Sequence, residues 1–152
     1  MRRAVWLSAV VVFAMLGSSS ARAASVPYVE GDVSGIELCP QFICGAAIFV
    51  GAFDGQVGWN RWTLGTVAVA VTHEPLPAPG DCAAITGGVW ELRAGRRRIS
   101  GVVQGQLCAN FDNTFDVQTV LTILSGGSGQ IEFFGLLDHN FLIPRISGTM
   151  TQ

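Results

Sequence analysis

The clearest pattern along the chain is the alternation between Thr114 and Leu124. Phe115, Val117, Leu121 and Ile123 fall on one side, and Thr114, Asp116, Gln118 and Thr122 on the other. Successive side chains of a β-strand point to opposite faces, so this run predicts a strand with one buried and one wet face. The preceding segment repeats the pattern, with Ile99, Val103 and Leu107 set against Arg98, Ser100, Gln104 and Gln106. The same reading predicts strands over 28–38, 44–53, 56–59, 62–72, 83–94, 97–108, 114–124, 129–137 and 145–151. No helical period follows the first two dozen residues.

Turn residues punctuate these runs. Asp54-Gly55 is a strong two-residue hairpin signal, and Ala94-Gly95-Arg96, Asn110 to Asn113 and Gly126 to Gly129 serve later hairpins. The longest connection, Glu74 to Asp81, is stiffened by Pro75, Pro77 and Pro79. Glycines also lie inside the strands, at 51, 65, 88, 101, 105 and 135. An interior glycine weakens a flat strand but permits the tight coiling that closes a barrel. The expected fold is therefore all-β: a small antiparallel up-and-down barrel of eight or nine strands, with a two-sheet sandwich as the alternative.

The stretch Gly126-Gly127-Ser128-Gly129-Gln130-Ile131-Glu132-Phe133-Phe134-Gly135 resembles the glycine-rich turn and aromatic strand of dirigent and allene-oxide-cyclase-like barrels. The aromatic and the glycine after the turn are displaced from that group's usual pattern. The resemblance covers about ten residues and implies an eight-stranded antiparallel barrel. No catalytic residue of that group can be placed on this chain, so the resemblance implies a fold and no activity.

The N-terminus has a different character. Arg2 and Arg3 precede an apolar run from Ala4 to Leu16, and Ala21-Arg22-Ala23 is a small-x-small cleavage site. This is the layout of a secretory signal peptide cleaved after Ala23, and the run is shorter than the about 20 residues a transmembrane helix needs. Residues 24–152 then form a single barrel domain that is periplasmic or secreted. Removal of 1–23 leaves six Arg against eleven acids, a net charge of −5 with His neutral. That balance gives no electrostatic reason to bind nucleic acid. Export with alternating strands also suits an outer-membrane barrel, but the chain has one Tyr, no paired aromatic girdles and no terminal aromatic. The mature protein is expected not to be integral to a membrane.

Four cysteines in an exported chain imply two disulfides. Cys39 and Cys44 flank a short loop, and Cys82 and Cys108 lie 13 residues either side of Gly95, so the expected pairs are 39–44 and 82–108. The spacing does not suit a four-cysteine metal site.

The remaining candidate chemistry is sparse. His73-Glu74 and Asp138-His139 follow two predicted strands of the same direction, which brings them to one rim of an up-and-down barrel. Imidazoles and carboxylates there can bind a metal or act as acid and base. The plainer reading is that they solvate strand ends, with Asp138 and Asn140 bonded to local backbone, and no metal-ligand spacing argues otherwise. Ser128 lacks the glycine two residues on that a nucleophile elbow needs. Trp59, Trp62 and Trp90 are candidates to line a ligand pocket, although filling the barrel is the commoner role of such residues. Arg96, Arg97 and Arg98 read as a solvated hairpin tip. The expected function is binding of a small apolar molecule or a protein partner, without catalysis and without metal or cofactor. A cyclase- or isomerase-like enzyme and a disulfide-stapled structural envelope protein are the alternatives.

Overall fold

The computed structural model describes residues 28–58 and 62–152. The expected signal peptide, its cleavage site and Trp59 lie outside the described residues. The rest is a closed barrel of eight antiparallel strands in sequence order. They are β1 (Val29–Cys39), β2 (Ala47–Val57), β3 (Thr63–His73), β4 (Cys82–Ala94), β5 (Arg97–Ala109), β6 (Thr114–Ser125), β7 (Gln130–Asp138) and β8 (Arg145–Thr151). A single helical turn, α1 (Gln41–Cys44), interrupts them. The barrel closes where β1 pairs with β8, from Glu30 opposite Thr151 to Ile36 opposite Arg145. Eight strands in an up-and-down barrel match one of the two strand counts expected, and the sandwich alternative falls away.

One feature differs from the sequence reading. The runs 44–53 and 56–59 are a single strand, so Asp54-Gly55 is not a turn; Asp54 pairs with Asp32 on one side and Leu64 on the other. The strand continues to Val57, and Gly58 after it takes a left-handed φ of 78°. Gly55 is an inward-facing strand position, where a Cβ would stand 2.3 Å from the Glu30 carbonyl oxygen. It sits opposite Gly31, and the Phe53 ring lies over both. The Phe133 ring covers the paired Gly135 and Gly148 in the same way. An aromatic ring folded over facing glycines restores the apolar contact that they lack and lets the two strands approach closely.

The hairpin β4–β5 follows the expectation. Its loop is Gly95-Arg96, with Gly95 at φ 61°, the positive φ that tight hairpins require. Cys82 stands directly opposite Cys108 across this hairpin and is disulfide-bonded to it, and Cys39 is bonded to Cys44. Two disulfides are compatible with an oxidising extracellular compartment. No helix among the described residues is long and apolar enough to cross a membrane.

The two ends of the barrel differ. Toward the β2–β3, β4–β5 and β6–β7 turns the interior is filled, and Val29, Phe53, Leu92, Ile99 and Ile131 lose essentially all contact with solvent. Trp90, in β4, is also buried there beside Leu92, on the inward face expected of it. Toward the opposite end the interior is open.

Candidate functional site

A cavity of about 450 Å³ occupies the open end. Its walls are largely aliphatic, with Val33, Val69, Val71, Ile85, Val103, Leu107 and Val117 contributing from five of the strands. The volume lies within the range of about 300–1,000 Å³ typical of small-molecule sites. Gly51 lines it, and Gly51 pairs with Gly35. At this glycine pair, unlike the other two, partner-strand backbone and no aromatic ring lies nearest.

The mouth is built from the loops after β1, β3, β5 and β7. The first carries α1, held in a small ring by the Cys39–Cys44 disulfide and ended by Gly45 at φ 75°. Gln41 fastens this turn across the opening. Its side-chain N–H donates to the His73 carbonyl at 2.9 Å, and its side-chain oxygen accepts from the His73 N–H at 2.7 Å. Opposite, the 139–144 loop is tied to β1 by the Glu37 N–H donating to the Pro144 carbonyl at 2.9 Å. Asp138 accepts the Asn140 backbone N–H at 2.8 Å, and the Asn140 amide donates to the Asp112 carbonyl at 2.9 Å. Asp112 in turn accepts from Thr114 Oγ1 at 2.6 Å, which holds its carboxyl below the usual range. These bonds bury Thr114, a residue the alternation assigns to the wet face.

Among the described residues three titratable side chains face the cavity: Glu37, His73 and His139. Glu37 occupies an inward position of β1, in phase with Val29 and Val33, and is only 8% exposed. Burial pushes its carboxyl above the ordinary range, against the pull of His73. Burial likewise pushes the His139 imidazole below its usual value; Asp138 acts in the opposite sense and His73 in the same sense. His139 Nε2 lies 3.8 Å from Glu37 Oε2 and is buried without a hydrogen-bond partner. The His139 ring packs at 5.0 Å from that of Phe115. His73 Nδ1 lies 2.5 Å from the Glu74 carbonyl oxygen, so this nitrogen carries the proton and donates it.

His73 and His139 therefore line the cavity at one rim of the barrel. Glu74 and Asp138 do not line it; Glu74 instead accepts the Ala84 N–H at 3.1 Å. Trp90 packs in the filled half and Trp62 is exposed at the start of β3 with its indole N–H on Asp54, so neither indole lines the cavity. Glu37 and Thr119 are the polar wall residues that the sequence reading left unnoticed. The signal for both was phase: each falls on the inward face of a strand whose other inward residues are apolar. Among the described residues no group of three or more His, Cys, Asp or Glu side chains is placed to hold a metal ion.

Around the mouth the loops expose Phe42, Ile43, Leu76, Phe111, Leu142 and Ile143. Leu142 is fully exposed, and Phe42 and Phe111 are nearly so, at 87% and 89%. Comparison with protein-family models, curated proteins and solved structures finds no match.

Proposed function

We propose that this chain is an exported binding protein whose barrel holds a small apolar ligand. The observation that carries the reading is the cavity of about 450 Å³ walled by valine, leucine and isoleucine at the open end of an otherwise filled barrel. An eight-stranded barrel is just wide enough for side chains to fill, so a half left open by short side chains suits a guest. Export is supported by the n-region, apolar run and Ala21-Arg22-Ala23 of the N-terminal segment, together with the two disulfides. A soluble barrel is supported by the distribution of polarity. The interior is apolar, while Asp32, Arg93, Asp116 and Glu132 are exposed on the outer face, interspersed with exposed apolar residues such as Val89 and Phe134; charged side chains on the lipid face are costly for a membrane barrel.

The test uses residues 24–152 with both disulfides formed and the neutral dye N-phenyl-1-naphthylamine. Saturable fluorescence enhancement is expected, and it should weaken in Val69→Phe, which extends a ring into the cavity from β3. A wild-type protein that gives no enhancement would overturn the reading.

The exposed apolar loops favour a second reading, an interaction module for a protein partner. A ring of large apolar side chains on the protein surface marks contact sites more often than chance placement. Phe42→Ser with Leu142→Ser should then abolish partner capture while leaving dye binding intact.

A further inference from the structure

We infer that the ligand carries a hydroxyl group on its apolar body, and that Glu37 and His139 hold this hydroxyl just inside the cavity mouth. This deepens the apolar-ligand reading and rests on it.

One buried polar atom at the mouth lacks a partner, and a carboxylate stands near it. Buried polar atoms in proteins are nearly always hydrogen-bonded, and an exception calls for a reason. His139 Nε2 is buried with no partner, and its nearest charged neighbour, Glu37 Oε2, is 3.8 Å away. That gap exceeds an N–H···O hydrogen bond, which runs to about 3.2 Å. Both side chains line the same apolar cavity. Both side chains spring from backbone that is hydrogen-bonded at the mouth: the Glu37 N–H donates to the Pro144 carbonyl, and the His139 N–H to the Asn113 carbonyl at 3.2 Å.

A single oxygen bridges such a gap. Placed about 2.8 Å from each atom, a hydroxyl can donate to the Glu37 carboxylate and accept from a protonated Nε2. If the proton instead sits on the carboxyl, the hydroxyl accepts from Glu37 and donates to Nε2. A group that both donates and accepts fits either arrangement. A carboxylate only accepts, so in either arrangement it leaves one of the two groups without a donor, and beside an ionised Glu37 it is a second anion. An ether cannot donate. An ammonium carries three N–H donors and a full charge into a pocket whose walls are mostly aliphatic. Among the described residues no Lys or Arg side chain lines the cavity, and the titratable groups a charged head would meet there are Glu37, His73 and His139.

The experiment displaces N-phenyl-1-naphthylamine from the disulfide-intact protein with four ten-carbon probes: decan-1-ol, decanoate, decylamine and 1-methoxydecane. Decanol is expected to compete at about tenfold lower concentration than the others, the size of effect one to two hydrogen bonds give. That preference should vanish in Glu37→Leu and in His139→Phe while the dye still binds. Failure of the dye to bind wild-type protein would remove the cavity reading and this one together. Dye binding with no preference for decanol, with preference for the acid, amine or ether, or with a preference that survives both variants, overturns the hydroxyl site alone. The wild-type probe series decides the matter even where a variant does not fold.

Discussion

Replacing Glu37 by leucine should make the protein more stable at pH 7.5. Glu37 is 8% exposed, its carboxylate lies 3.8 Å from the His139 ring nitrogen, and it faces a largely aliphatic cavity. Leaving such a group unsatisfied costs about 1–3 kcal/mol. Leucine removes that cost and adds apolar contact in the cavity. The competing effect is loss of an ion pair, since breaking a buried pair destabilises strongly. At pH 7.5 that effect is absent, because His139 has its pKa pushed below the ordinary 6.5 by burial and is neutral.

The pH dependence follows with a definite sign. Glu37 has its pKa raised above the ordinary 4.5, so its contribution to stability is fully present below pH 4.5 and is lost as pH rises through the folded value. His139 is shifted down, so its contribution is present above pH 6.5 and is lost as pH falls through the folded value. His73 and Asp138 are the other titratable groups coupled to this pair. The gain from Glu37→Leu should therefore be about 1–3 kcal/mol at pH 7.5 and should shrink toward pH 4.5. For a domain of this size that is about 3–5 °C in Tm per kcal/mol. Urea unfolding with disulfides intact, at pH 4.5 and 7.5, measures it. A variant less stable than wild type at pH 7.5, or a gain equal at both pH values, would refute the account of Glu37 as a carboxyl held in place against its own solvation.

Three further outcomes follow from the packing. A Cβ at Gly101 would lie 1.8 Å from the Thr122 carbonyl oxygen, so Gly101→Ala should cost about 3 kcal/mol or more, whereas Gly87, with open space around it, should accept Ala within about 0.5 kcal/mol in the same urea assay. Phe133→Ala uncovers Gly135 and Gly148 and should cost about 3–5 kcal/mol, while Phe134→Ala, on the exposed outer face, should cost far less by thermal melting. Removing the Cys82–Cys108 disulfide, which spans 26 residues, should cost about 3.5 kcal/mol and removing Cys39–Cys44, which spans 5, about 2 kcal/mol, as read from denaturation of the paired Cys→Ser variants.

Much of this architecture is legible in residue order because a strand writes its two faces into alternate positions. β5 and β6 follow their predicted faces closely, apart from buried Thr114, and both disulfides follow from spacing and one hairpin. The misreading of β2 has a local cause. Asp-Gly is a hairpin signal only where glycine takes a positive φ, and Gly55 is instead a strand glycine under the Phe53 ring, a relation visible only once β1 lies alongside. The cavity was not legible, since its width depends on which short side chains meet across a closed barrel. The exposed loop residues Phe42, Phe111 and Leu142 were equally silent, because an apolar loop residue reads the same whether it packs or faces water. Glu37 could have been found: an acid at every-second-residue spacing from Val29 and Val33 is pointed inward by the strand itself.

The contrast between the two halves of one barrel bears on why the polar groups stand where they do. At the filled end the inward residues include Phe53, Trp90, Leu92, Ile99 and Ile131, and the Gly31–Gly55 pair lies under the Phe53 ring. At the open end the inward residues include Val33, Val69, Val71 and Val117, with Phe49 and Phe133 also on the cavity wall, and partner-strand backbone lies nearest the Gly35–Gly51 pair. All eight strands run through both halves, and a register shift in β4–β5 between Ile85 and Val89 lies between them, so the difference is one of side-chain volume and local strand irregularity together. Nothing in barrel closure requires it, and packing alone would favour filling both ends. The charged and hydrogen-bonding residues that face inward, Glu37, His73, Thr119 and His139, all lie in the half left open. Tight packing at one end and a disulfide and hydrogen bonds across the mouth hold those groups on rigid elements, the condition under which a site can discriminate between ligands. A barrel built only to be stable would have neither the cavity nor the buried carboxyl; this one has both in the same place.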